Sequence, residues 1–259
     1  MLTDRVLRKG LRTRSFGHKI YSFDTIDSTN NCAKAVAACG ADEGTVVFSE
    51  HQTEGRGRLG RSWFGNPGEN LAFSIVLRPK TNMESLNLVP LFVGVAIAEA
   101  VEKSMKVQVE CKWPNDLLVD GRKFCGILIE SSMKQNQVEH IVVGVGVNVN
   151  QVSFPDDFLT PPTSLRIVTG QELDRAKLFR DILTSLEQNY LFVSSRGFQS
   201  ILPHWLSRTT MINSRISVSH QGGVVSGVVK GITNDGGLIL QTATAEQTLF
   251  AGDVTIVPR

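Results

Sequence analysis

Residues 109–131 read VECKWPNDLLVDGRKFCGILIES. Three runs of strand-forming residues crowd into this stretch: Val109 to Trp113, Leu117 to Val119 and Lys123 to Ser131. Asp120-Gly121 separates the last two, and a two-residue Asp-Gly loop is a strong hairpin signal. On the N-terminal side, Ser28-Thr29-Asn30 opens a helix with Cys32, Val36 and Cys39 on its apolar stripe and Gly40 at its end. Gly44 to Glu50 reads as a strand, Gly55 to Gly65 as a glycine-rich loop, and Leu71 to Leu77 as a buried strand. Leu86 to Met105 is helical, with Pro90 acceptable only near its start. On the C-terminal side, His140 to Val149 is a strand and residues 150–163 are a proline-bearing loop. Asp174 to Val193 follows as an amphipathic helix, with a shorter helix over Gly197 to Leu206.

The texture changes at Asn213. Short strands alternate with turns: Arg215 to Ser219, Val224 to Ile232, Leu238 to Thr242, Gln247 to Phe250 and Val254 to Val257. Asn234-Asp235-Gly236-Gly237 supplies a hairpin turn. The pattern predicts an α+β domain over residues 20–210, a mixed sheet flanked by helices, followed by a small β-barrel over 211–259. A basic arm over 1–19 precedes them.

Composition excludes several classes. With 259 residues, 41% hydrophobic and 20% charged, the chain is neither disordered, nor a coiled coil, nor collagen-like. A net charge of +2 is too balanced to argue for nucleic-acid binding by itself. Residues 1–19 carry six cations (Arg5, Arg8, Lys9, Arg12, Arg14, Lys19) against Asp4, which reads as a solvated basic end. That arm has no apolar stretch for a secretory signal and too few serines for a transit peptide. The cysteines, Cys32, Cys39, Cys111 and Cys125, lack zinc-site spacing and sit among apolar neighbours. They are expected to be buried, reduced thiols, which suits a cytoplasmic protein. No apolar run is read as reaching the roughly 18–20 residues of a membrane span.

Four clusters carry chemistry. In Gly55-Arg56-Gly57-Arg58-Leu59-Gly60-Arg61, glycines let backbone N–H groups approach an anion and arginines pair with carboxylate or phosphate. The same loop alone is equally a solvated surface segment. Lys112-Trp113-Pro114-Asn115-Asp116 gathers a cation, an amide and a carboxylate, a set able to place charge near a phosphate and hold Mg²⁺ through water; Trp113 otherwise simply packs in the core. Lys123 opens an apolar strand, where its ammonium either enters a cleft or snorkels to water. Glu130, at the far end of that strand, reads as solvated. Gly144, Gly146 and Asn148 alternate along one strand face, leaving a flat surface for a ring system.

Taken in order, Ser28-Thr29-Asn30, Gln52 with GRGRLGR (55–61), KWPND (112–116), DGRKFCGIL (120–128), GVGVNV (144–149) and the C-terminal barrel resemble the biotin–protein ligases. The resemblance covers about residues 20–259. It implies a catalytic domain like that of class II aminoacyl-tRNA synthetases and an SH3-like barrel. It also implies that biotin and ATP form biotinyl-5′-adenylate, and that a lysine of a biotin carboxyl carrier domain then takes the biotinyl group. The residues suit such chemistry: joining a carboxylate to an α-phosphate needs positive charge and alignment more than a side-chain nucleophile.

By the same resemblance, Ser28, Thr29, Asn30 and Gln52 hold the ureido head of biotin, and Trp63 packs along its pocket. Arg56, Gly57 and Arg58 close over carboxylate and phosphate, and Arg61 supports the nucleotide. Lys123 reaches the carboxyl–phosphate junction, with Arg58 and Lys112 as further catalytic cations. Gly144 and Gly146 form the flat wall and Asn148 lies near adenine. Asn115 and Asp116 face magnesium and pyrophosphate. Leu59 departs from relatives that are basic there. Nineteen residues before the first strand are too few for the winged helix-turn-helix of repressor-type relatives, so the expectation is a monofunctional ligase with no specific DNA binding, no membrane association and sheet-edge dimers as an option. A lipoate–protein ligase and a biotin-responsive regulator are the alternatives, each fitting the motifs less well.

Overall fold

The structure, a computed structural model, describes residues 1–79, 83–135, 137–155, 158, 160–220 and 222–256. Helix α1 (Asp4–Arg8) leads into strand β1 (Ile20–Ile26), helix α2 (Thr29–Ala38) and strand β2 (Val46–Gln52). Strand β3 (Leu71–Leu77) and helix α3 (Val89–Met105) follow, then β4 (Glu110–Lys112), β5 (Asp116–Val119), β6 (Arg122–Lys134) and β7 (Gln137–Val147). Helices α4 (Leu165–Thr169), α5 (Arg175–Arg196) and α6 (Leu202–Leu206) precede strands β8 (Arg215–His220), β9 (Gly223–Ile232), β10 (Leu238–Gln241), β11 (Glu246–Leu249) and β12 (Asp253–Ile256). The predicted elements are present with ends shifted by a few residues; α1, β1 and α4 add to them. Val257, the predicted end of the last strand, lies outside the described residues.

Strands β1 to β7 form one sheet in the order β1-β2-β3-β7-β6-β5-β4. Only β1 and β2 run parallel, because α2 crosses over between them; every other neighbouring pair is antiparallel. At the predicted hairpin Asp120 and Gly121 have φ of 51° and 70°, the two positive values that a tight Asp-Gly turn requires.

Strand alternation sorts side chains by size. Phe48, Phe73, Ile75, Val143 and Val145 point to one face, where Phe179 of α5 meets Phe48 and Phe73 edge-on at 5.9 and 5.2 Å. Helix α3, apolar nearly all round, packs on α5 and against β4, β5 and β6. The stretch Ser85–Met105 does have the length and composition to cross a membrane, contrary to the sequence reading, but it is mostly buried as a core helix. On the other face α2 lays Ala33 and Ala37 on Val47, Val76 and Val142. Further along β3 and β7 the residues on this face are small, Ala72, Ser74, Gly144 and Gly146, and the first turn of α2 reaches them with Asn30.

Strands β8 to β12 make the SH3-like unit, an antiparallel sheet in the order β11-β10-β9-β8-β12. Its apolar residues Ile216, Val218, Val229 and Leu240 join the main core. Trp113 is 1% exposed and donates from its indole N–H to the Gly236 carbonyl at 3.1 Å, so the buried side of KWPND ties the barrel turn to the large sheet.

The N-terminal arm is not a loose solvated end. Its six cations are exposed, yet Leu7 and Phe16 are buried in the core. Glu187 of α5 accepts from the backbone N–H groups of Arg14, Ser15 and Phe16 at 2.7, 2.7 and 3.0 Å. Burial pushes the Glu187 carboxyl up, but these donors outweigh it and hold it below the usual carboxylate range. The cysteines split as well: Cys111 and Cys125 are buried and free, Cys32 is half-buried and Cys39 is exposed. Burial pushes the Cys111 thiol up to about 12.

Candidate functional site

A cavity of about 570 Å³ opens where α2 begins, on the small-residue face of the large sheet. Its floor follows from strand register. Gly126, Gly146 and Ala72 are cross-strand neighbours on β6, β7 and β3; one step along, Leu128, Gly144 and Ser74 are neighbours. The sequence reading found two of these small residues and missed Gly126, which only register brings beside Gly146. What lies on the glycines also differs from expectation. A methyl at Gly144 would fall 2.2 Å from Asn30 Oδ1, and one at Gly146 would fall 2.3 Å from the Trp63 ring. Protein side chains already rest on this wall, and Trp63 covers Gly126 as well.

One end of the cavity is neutral and hydrogen-bonding. Ser28 occupies the N-cap of α2, is 2% exposed and makes no capping bond with its hydroxyl, which is thus left to the cavity. Gln52, at the end of β2, accepts from the Thr29 N–H and hydroxyl at 2.8 and 3.0 Å. Its amide oxygen is therefore committed and its NH₂ remains as a donor. The Ser74 hydroxyl donates to Asn30 Oδ1 at 2.6 Å. Glu130 is not the solvated strand residue expected. It accepts from Asn30 Nδ2 and from the Lys34 ammonium, both at 2.7 Å.

The other end is charged. Lys123 reaches the cavity because of a β-bulge. Register on β5–β6 shifts between Leu117 and Leu118, so Phe124 turns into the core while Lys123 joins Gly126 on the cavity side. The Lys123 backbone is clamped to Pro161 and Thr163, each bond 2.8 Å. Its ammonium pairs with Asp116 at 2.6 Å and lies 5.6 Å from the Trp63 ring centroid. Arg56 rests on Asn31, which itself donates to Asp27. Arg58 donates to Asn115 Oδ1 at 3.4 Å and to the Gly252 carbonyl at 3.3 Å, while Arg61 pairs with Asp253 at 2.5 Å. Burial pushes the Arg58 guanidinium down; Asp253 and Asp116 oppose that shift. Gly57, Asn115 and Asp116 line the same end, and Asn115 also holds the Ile127 carbonyl at 2.6 Å.

Every candidate lines the cavity except Lys112. That ammonium is buried and donates to Thr160 at 2.9 Å, and burial pushes its pKa down. It stands behind Thr160, which does line the cavity. Leu59 is 56% exposed, has φ of 54° and does not line the cavity. Asp253 was missed, since a lone acid in a short barrel strand carries no sequence signal. Asn148 donates to the Thr163 carbonyl at 3.0 Å, but its buried Oδ1 has no partner among the described residues. A buried amide oxygen left open costs free energy, so it marks a place for a ligand donor.

Four cations against two carboxylates, over a glycine floor and beside a hydrogen-bonding pocket, define a binding site for anionic substrates joined to a neutral polar head. Comparison narrows the class. Residues 22–148 match the Biotin/lipoate A/B protein ligase family, and residues 211–257 match the Biotin protein ligase C terminal domain. The bifunctional ligase/repressor BirA of Bacillus spizizenii is 33% identical over 257 residues, 98% of this chain and 79% of that protein. The biotin–[acetyl-CoA-carboxylase] ligase of Paracoccus denitrificans is 30% identical over 88% of this chain and 96% of its own length. Among solved structures, the biotin protein ligase of Aquifex aeolicus in complex with biotin and ATP superposes with a TM-score of 0.79. It is 26% identical, across 93% of this chain and 100% of that one. The chain belongs to the biotin–protein ligase family.

Proposed function

We infer that the protein activates biotin with ATP and passes it to a carrier protein. The biotin carboxylate attacks the α-phosphorus of ATP, pyrophosphate leaves, and biotinyl-5′-adenylate forms. A lysine amine of a biotin carboxyl carrier domain then attacks the acyl carbon; an amide forms and AMP leaves. The observation that carries this reading is the two-ended cavity, with uncharged hydrogen-bonding groups at one end and Lys123 with the arginine loop at the other.

In this reading Ser28, Thr29, Asn30 and Gln52 take the ureido head, whose donors and acceptor match hydroxyls and amides without charge. Lys123 stands at the carboxyl–phosphate junction and offsets the charge that builds as pyrophosphate departs. Arg56, Gly57 and Arg58 close over the adenylate, Arg61 supports the nucleotide, and the open Oδ1 of Asn148 accepts from the adenine amino group. Trp63 shields the reacting groups. Lys112 biases the field from Thr160. Asp116, which pairs with Lys123, and the neighbouring Asn115 would hold the Mg²⁺ of MgATP, where a triphosphate leaves one or two carboxylates for the protein to supply; the ion would offset charge on the departing pyrophosphate. Specific operator binding is not part of this reading.

The test is incubation with biotin, MgATP and a carboxyl carrier domain, followed by mass measurement of the carrier. A biotinyl-sized gain that needs ATP is expected; a gain from lipoate and none from biotin would reassign the substrate.

A further inference from the structure

We propose that Glu130 is a positioning residue for substrate recognition: it fixes which way the Asn30 side-chain amide faces at the neutral end of the cavity. The proposal rests on the reading that Asn30 meets the ureido head of biotin.

An asparagine amide is nearly symmetric in shape, and flipping it exchanges a donor for an acceptor. Whichever way it faces is set by its neighbours. Asn30 is 4% exposed and lies between two of them. The Ser74 hydroxyl sits 2.6 Å from one amide atom and a Glu130 oxygen sits 2.7 Å from the other. Serine is a poor guide, since a hydroxyl donates or accepts by rotating. An ionised carboxylate only accepts, so the atom facing Glu130 must be the NH₂. Lys34, one helical turn along α2 from Asn30, holds the other Glu130 oxygen at 2.7 Å and keeps the carboxylate in place. Gly144 completes the arrangement: any Cβ there would drive into the Asn30 amide. Ser74, Glu130 and Gly144, on three strands, thus converge on one side chain, with Lys34 holding Glu130 in place. Asn30 keeps one N–H and one lone pair for a ligand, in a fixed order. A ureido group presents two N–H donors and one carbonyl, so a partner amide of the wrong polarity meets like with like.

The test is a thermodynamic cycle on biotin binding by calorimetry, with Glu130→Gln, Asn30→Ala and the double variant. Glutamine has the size of glutamate but donates as well as accepts, so the amide loses its instruction. Glu130→Gln is expected to raise the Kd for biotin about tenfold, the weight of one charged hydrogen bond. KM for ATP at saturating biotin should stay within about twofold, and the thermal midpoint should hold. Glu130→Asp, which keeps the charge one methylene back, should bind with intermediate affinity. The double variant should bind no worse than Asn30→Ala alone, because Glu130 acts only through Asn30. Wild-type affinity in Glu130→Gln, with Asn30→Ala impaired, overturns the proposal, as does additivity in the double variant. Normal biotin binding by Asn30→Ala would instead remove the reading on which it stands.

Discussion

Two segments of this chain are rich in arginine, and they do opposite things. Residues 1–19 and the loop from Gly55 to Trp63 both look, in sequence, like cationic surface. In the arm the backbone is anchored and the side-chain charges make no ion pair among the described residues: Glu187 takes three N–H groups, Leu7 and Phe16 enter the core, and the six cations are exposed, Lys19 over the Tyr21 ring. In the loop the relation is reversed. Its arginines are occupied, by Asn31, Asn115, the Gly252 carbonyl and Asp253, while its backbone bonds run within the loop itself, from Gly57 to Arg61, Arg61 to Arg58 and Trp63 to Gly55, rather than to the core. In the proposed function those partners give way to anionic ligands. Cation count says little; whether main chain or guanidinium is anchored decides whether a segment is structure or machinery.

The sharpest contrast with the arm comes from the fixed cation beside the loop. Lys123→Ala should fold normally and slow adenylate formation by roughly a hundred- to thousandfold, since it removes a preorganised charge. Biotin-dependent exchange of pyrophosphate into ATP measures this, and transfer from supplied biotinyl-adenylate should suffer less. A near wild-type exchange rate would return Lys123 to the status of a snorkelling strand residue.

Arg58→Ala should release bound adenylate about tenfold faster, the weight of one or two charged hydrogen bonds. Limited proteolysis near Gly57 should slow when biotin and ATP are present, because ligand anions order the loop. Asp253→Asn should speed cleavage of the empty protein, having freed Arg61. Equal cleavage in all states would break the contrast between loop and arm.

The arm is expected to answer in stability instead. Glu187→Ala strands three backbone donors and should cost about 1–3 kcal/mol by denaturant unfolding, with KM for biotin unchanged. Because the folded-state pKa of Glu187 is lowered, its contribution is fully present above the ordinary glutamate range. It is lost as pH falls through the depressed folded value, so wild type and Glu187→Ala should converge in stability on acidification.

The smallest effect belongs to the arm's charges. Replacing Arg5, Arg8 and Lys9 together by Gln should leave kcat/KM for biotin within about twofold, and weaken only a salt-sensitive, sequence-blind attraction to polyanions. A salt-resistant, sequence-specific gel shift by the wild-type chain would show that these cations have work of their own.

Local chemistry alone made much of this protein legible. The Asp-Gly hairpin, the helix opened at Ser28, the glycine-spaced arginines and the alternating glycines of β7 are each set within a few residues, so the sequence determined the α+β order, the barrel and, with the family resemblance, the cations and hydrogen-bonding residues of the cavity, while further apolar and small lining residues such as Gly126, Leu128 and Phe154 went unread. Pairings across the fold are another matter. Gly126 meets Gly146 only through the register of β6 on β7, and Lys123 shares their face only because a bulge reverses the alternation between it and Gly126. Glu130 lies 100 residues from the Asn30 amide it holds, and Gly252, next to Asp253, lies 194 from Arg58. Trp63 lies on the glycines, and Lys112 is turned to Thr160, for the same reason. Periodicity says which side of a strand a residue faces; what it meets there depends on which strands are neighbours, and tertiary structure alone decides that.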